Sequence, residues 1–116
     1  MQTADLQLRN LLLTGYQQAN EVAKTEPIIE IDLTDLKRQL KTNKSAFLDV
    51  LYYYDQEPAI SLQINKQSII MYVNLRWQQI STQEIVLNEP ITNLIDELTG
   101  FAHQGCVTIE TTSLNV

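Results

Sequence analysis

What the chain lacks narrows its chemistry first. Cys106 is the single cysteine among 116 residues. No intramolecular disulfide can form, and a reducing compartment is expected. The three glycines, Gly15, Gly100 and Gly105, belong to no G-x-x-x-x-G-K-[ST] or G-x-G-x-x-G pattern, which excludes the common phosphate-cradling loops. No apolar run approaches the ~18 residues that suggest a bilayer span. No basic stretch followed by an apolar one opens the chain, so the expected location is cytoplasmic, with no membrane partner. With one histidine, His103, and one cysteine, a zinc site would need carboxylates to complete it; neither metal nor cofactor is expected.

Positive charge is the other scarcity. The chain carries 14 acidic against 8 basic residues, a net charge of −6. Residues 1–44 hold six of each sign, residues 45–116 hold two basic against eight acidic, and no Lys or Arg follows Arg76. The second half therefore projects a negative field. Duplex binding draws most of its non-specific affinity from Lys and Arg on phosphates, so a nucleic-acid partner is not expected.

What is present describes an ordinary globular chain, 44% hydrophobic and 19% charged. Its length suits a single domain over 1–116 with a core of its own. The organising stretch is Pro58 to Ile80, read as a β-hairpin. Ile60, Leu62 and Ile64 alternate with polar residues, the period of a half-buried strand. After a turn at Asn65–Gln67, a longer strand sets Ile69, Met71, Val73, Leu75 and Trp77 on the core face. Ile70, Tyr72, Asn74, Arg76 and Gln78 fall on the other. Ile70 and Tyr72 must be covered by another element or a partner; if the first helix covers them, no exposed patch is left to explain.

That helix is predicted from Thr3 to Lys24, with Thr3 as N-cap and a stripe of Leu8, Leu12, Tyr16, Ala19 and Ala23. Gly15 in its middle costs about 1 kcal/mol against Ala, so something must pack closely there. Ile28 to Leu33 alternates as a strand with Glu30 and Asp32 on its wet face. A short helix capped by Asp32 or Thr34 then runs to Thr42. Ala46 to Asp55 reads either as a helix or as a strand; the run Tyr52, Tyr53, Tyr54 favours the pleated alternative. Further on, Ser81–Gln83 reads as a turn and Glu84–Leu87 as a short strand. A helix follows with Asn88 as cap, Pro90 in the first turn and Ile91, Leu94, Ile95 and Leu98 as its apolar row. Gly100 is expected to end it, with Phe101 making the accompanying apolar contact. Cys106–Glu110 is the last strand, and Ser113–Val116 a polar tail. The expected fold is α+β: a mostly antiparallel sheet of about five strands with two or three helices packed on one face.

Few residues suggest chemistry, and each has a plainer reading. Cys106 and His103 are a nucleophile and base by type, yet no group orients them, so both are expected to be structural. Glu30 and Asp32 project together from a strand, as hard-cation ligands do. Asp32 and Asp35 are also spaced as an N-cap and its N3 partner, which explains them without a ligand. The row Lys37, Arg38, Lys41 and Lys44 is a place for an acidic partner, or simply a solvated face. Tyr52, Tyr53, Tyr54 and Trp77 suit a recognition surface, or simply the margin of a core.

The favoured function is non-enzymatic: an inhibitor, adaptor or regulatory module that binds another protein. A basic partner is expected to meet Glu84, Glu89, Asp96 and Glu97, with the Tyr52–Tyr54 surface as the alternative binding face. Two alternatives stand beside it. One is a small-molecule-binding domain or minor enzyme with a pocket near Tyr52–Tyr54 and His103. The other is a structural subunit of an assembly. Sequence leaves partner identity and oligomeric state open.

Overall fold

A computed structural model describes residues 2–114. The described residues form an α+β fold in the order α1 (Ala4–Val22), β1 (Ile28–Asp32), α2 (Leu33–Thr42), β2 (Ala46–Tyr52), β3 (Pro58–Ile64), β4 (Ser68–Leu75), β5 (Gln78–Val86), α3 (Ile91–Thr99) and β6 (Cys106–Glu110), closed by a 3-10 turn at Thr111–Leu114. The strands form two antiparallel ladders, β2-β3-β4-β5 and β1-β6. Asn115 and Val116, the end of the expected polar tail, lie outside the described residues.

The four-stranded ladder is a meander whose register follows the apolar alternation. Ile60 faces Val73, Leu62 faces Met71 and Ile64 faces Ile69, and all six are buried. A slip of one residue would turn these side chains to water, which is why the pairing is well specified. Across this face lies α1. The Thr3 hydroxyl oxygen accepts from the Leu6 N–H at 3.2 Å, and Leu8, Leu11, Leu12 and Ala19 form its buried stripe. A Cβ on Gly15 would sit 2.5 Å from Met71 Sδ and 3.0 Å from Ile60 Cδ1. The glycine is there for close approach of helix to sheet. The smaller ladder buries Ile29 against Ile109 and Ile31 against Val107. It is tied to β2 through the Glu26 N–H, which donates to the Tyr52 carbonyl at 3.1 Å.

Both edges of the large sheet are met by a glutamine from a helix. On β2, Gln39 donates through Nε2 to the Phe47 carbonyl at 2.9 Å and accepts the Phe47 N–H at 2.8 Å. On β5, Gln7 donates to the Val86 carbonyl at 2.9 Å and accepts the Asn88 N–H at 2.9 Å. Each amide stands in for a neighbouring strand at one register step, a device that blunts an edge against further pairing.

Residues 46–52 are a strand, the pleated alternative of the two readings. Elsewhere the structure corrects the sequence reading. Ser81–Gln83 is no turn: β5 runs unbroken in the ladder from Gln78 to Val86, with a register shift opposite Val73 and Asn74. As a largely exposed edge strand it shows almost no apolar pattern. The chain turns instead at Arg76, whose φ is +50°, and Trp77, expected in the core, is 94% exposed at that corner. Leu75 is only half-buried. Ile70 and Tyr72 lie half-buried on the face away from α1, paired with the polar residues Gln63 and Glu84, and Ser61 and Thr82, respectively. The Tyr72 hydroxyl donates to Gln63 Oε1 at 3.1 Å, and Asn74 Nδ2 donates to Ser61 Oγ at 3.3 Å. Asn88 does not cap α3; Pro90 holds that position without a side-chain bond, while Asn88 Nδ2 donates to the Gln2 carbonyl. Gly100 does end α3 as its C-cap, but with right-handed φ and ψ of −64° and −22°, and Phe101, expected to make an apolar contact there, is exposed. Helix α1 ends at Val22, short of Lys24.

Candidate functional site

An acidic concavity lies between β1 and β2. Strand β1 buries Ile29 and Ile31, so its alternation sends Ile28, Glu30 and Asp32 to the opposite side. Strand β2 supplies Val50 and Tyr52. Together with Glu26 these residues line a groove of about 350 Å³. An irregularity in the β2–β3 pairing between Asp49 and Leu51 buries Val50 and Leu51 in succession. Beyond it the tyrosines point differently from simple alternation. Tyr52 stays half-buried at the groove, Tyr53 is buried and Tyr54 is exposed.

The electrostatics of the groove are one-sided. The Tyr52 hydroxyl is held above its ordinary pKa by burial, then by the carboxylates of Asp49 and Glu30. Among the described residues, ion pairs join Arg9 to Asp5, Arg38 to Asp35 and Arg76 to Asp55. Glu26, Glu30, Asp32 and Asp49 therefore have no cationic partner there. Asp32 also performs the capping role expected of it: its Oδ1 accepts the Asp35 N–H at 3.0 Å. Among the described residues, no group of three or more His, Cys, Asp or Glu side chains is arranged to hold a metal ion.

Cys106 pairs with Asp32 across the small ladder. Its thiol is pushed up by desolvation, then by the negative charges of Asp32 and Glu30. A nucleophilic thiol needs the opposite shift. Its link to His103 is a tight backbone turn, with N–H to carbonyl bonds of 2.8 Å and 3.1 Å in the two directions. The central residues Gln104 and Gly105 have φ of +53° and +82°, both positive as in a type I′ turn.

The three tyrosines do not make one surface. The Tyr53 hydroxyl donates to the Asn74 carbonyl at 2.7 Å, and burial, then Asp55, raises its pKa. Tyr53 and Tyr54 edge a cavity of about 230 Å³ with Lys24, Asp55, Leu75 and Arg76, below the volume usual for ligand sites. His103 is not among the residues lining it.

The four acidic residues expected to meet a partner are spread over three segments. Glu84 is exposed on β5 opposite Ile70. Glu89 is half-buried ahead of α3, and Asp96 and Glu97 are exposed on α3. Of the basic row, Lys37, Arg38 and Lys41 are exposed on α2, and Arg38 is occupied by Asp35. Lys44 lies beyond the helix end, beside Lys66 at a separate cavity. Sequence reasoning noticed Glu30 and Asp32 but not Glu26, Asp49 or Tyr52 as their neighbours. Glu26 precedes Glu30 by four positions in the same segment, whereas Asp49 and Tyr52 arrive from a strand about 20 positions on, and nothing local signals the meeting. Compared with known family models, curated proteins and solved structures, the chain matches none.

Proposed function

We propose that the protein is a non-enzymatic binding module that receives an arginine- or lysine-bearing segment of a basic protein in the groove between β1 and β2. The observation that carries this reading is the set of carboxylates Glu26, Glu30 and Asp32, without a cationic partner among the described residues, around an apolar and aromatic floor of Ile28, Val50 and Tyr52. A guanidinium suits such a place. Its flat face stacks on a phenol ring, and its N–H groups bind carboxylates in pairs. The net charge of −6 steers such a partner from a distance, while the groove holds it. Glu84, Glu89, Asp96 and Glu97 then act through the long-range field rather than by contact.

The test uses a short arginine-rich peptide and its citrulline counterpart, followed by amide chemical shifts. The arginine peptide is expected to shift Glu30, Val50 and Tyr52 saturably, and the citrulline peptide to bind at least about tenfold more weakly. Glu30→Gln with Asp32→Asn should weaken binding while keeping the α2 cap, because Asn caps as well as Asp. Charge reversal of Glu84, Asp96 and Glu97 should slow association and leave dissociation nearly unchanged. Shifts confined to α3 and β5, or equal binding of both peptides, would overturn the proposal.

A further inference from the structure

A second concavity lies at the opposite end of β2 from the acidic groove. It encloses about 620 Å³ between the end of α2, the start of β2, the β3–β4 turn and the first turn of α3. Its apolar lining comes from Leu40, half-buried, and Ile91, buried. Lys44 and Lys66 line it from two different loops. In a chain with eight cations in all, two converge on one apolar cavity. Among the described residues neither is paired with a carboxylate.

The walls are fixed before any ligand arrives. Asn65 accepts from the Ser45 hydroxyl and from Gln63 Nε2 through Oδ1, and donates through Nδ2 to Ser68 Oγ at 3.0 Å. Its backbone N–H donates to the Ser68 carbonyl at 2.9 Å. The turn that carries Lys66 is further pinned from both sides. The Ile91 N–H donates to the Lys66 carbonyl and the Leu87 N–H to the Gln67 carbonyl, each at 2.8 Å. Lys44 and Lys66, both exposed, have side chains free to close on a guest.

From this cavity we infer a binding site for a small apolar molecule bearing a single carboxylate, of about the size of a medium-chain fatty acid. The volume lies within the range of about 300–1,000 Å³ typical of ligand pockets. The hydrocarbon part lies against Leu40 and Ile91. The carboxylate is placed between the Lys44 and Lys66 ammonium groups, where charge-assisted hydrogen bonds form. The acidity elsewhere on the protein sharpens the choice of site, since an anion finds few other cations to approach. This inference stands apart from the protein-binding reading, which uses another surface and the opposite charge.

The probes are octanoate, octanol and octylammonium at equal concentrations, followed by amide chemical shifts of the intact chain. Octanoate is expected to perturb Ser45, Ala46, Lys66 and Thr92 saturably, with octanol weaker and octylammonium without effect there. Lys44→Gln with Lys66→Gln should reduce octanoate affinity at least about fivefold while leaving octanol unchanged. Thr92→Trp, at an exposed lining position, should block octanoate without unfolding the chain. Failure of octanoate to saturate at those residues, equal binding of octylammonium, or an unaltered affinity in the double lysine variant would each overturn the inference.

Discussion

Gly15 offers the sharpest test of how α1 sits on the sheet. On an isolated helix, Gly15→Ala would gain about 1 kcal/mol, because alanine loses less backbone entropy. Here the added methyl would lie 2.5 Å from Met71 Sδ and 3.0 Å from Ile60 Cδ1, and both residues are fully buried. Overpacking of this kind costs about 1–3 kcal/mol. The substitution is therefore expected to be neutral to destabilising, by about 0–2 kcal/mol once the helical gain is subtracted. Met71→Ala alone should cost about 2–5 kcal/mol through the cavity it leaves. In that background the clash with the methionine is gone and only Ile60 Cδ1, the end of a flexible side chain, must give way, so Gly15→Ala should become neutral to stabilising, by up to about 1 kcal/mol. Urea unfolding of the four proteins, compared at constant m-value, completes the cycle. A gain of about 1 kcal/mol in both backgrounds would refute the close helix–sheet contact.

Three further outcomes are expected from the same structure. Val73→Ala should lose about 1–3 kcal/mol in urea melts, whereas Trp77→Ala, at a nearly fully exposed corner, should change stability by less than about 0.5 kcal/mol; comparable losses would contradict the β4–β5 turn. Because burial and then the charges of Asp32 and Glu30 raise the Cys106 pKa, alkylation by iodoacetamide should accelerate only at a pH above that of a free cysteine. Glu30→Gln with Asp32→Asn should move that profile towards lower pH, and an unmoved profile would remove the carboxylates as a cause. Replacing Gln7 and Gln39 by Ala uncovers backbone groups at both sheet edges, so sedimentation velocity should show increased self-association; a strictly unchanged distribution would mean that the edges are guarded otherwise.

Sequence alone determined the elements whose burial is one-sided and whose pattern is long. The alternation Ile60–Leu62–Ile64 and Ile69–Met71–Val73 specifies a sheet face, since a shift by one residue would expose every apolar side chain. The rows of α1 and α3, the wet face of β1 and the Asp32 cap were legible for the same reason: each is a local repeat with a local partner. Gly15 signalled a close approach, though its partner stayed invisible. Tertiary structure decided the rest. The edge strand β5 has too little buried surface to impose a pattern, so Ser81–Gln83 read as a turn and Trp77 as core. The pairing irregularity after Asp49 decided which tyrosine is buried, and no alternation rule predicts it. The acidic groove joins Glu26, Glu30 and Asp32 to Val50 and Tyr52. The lysine cavity joins Lys44 to Lys66. Each is made by chain segments far apart in sequence, brought together by the packing of β1 beside β2 in one case and of α2 and α3 around the β3–β4 turn in the other, because side chains that meet through a shared core leave no periodic trace in the chain.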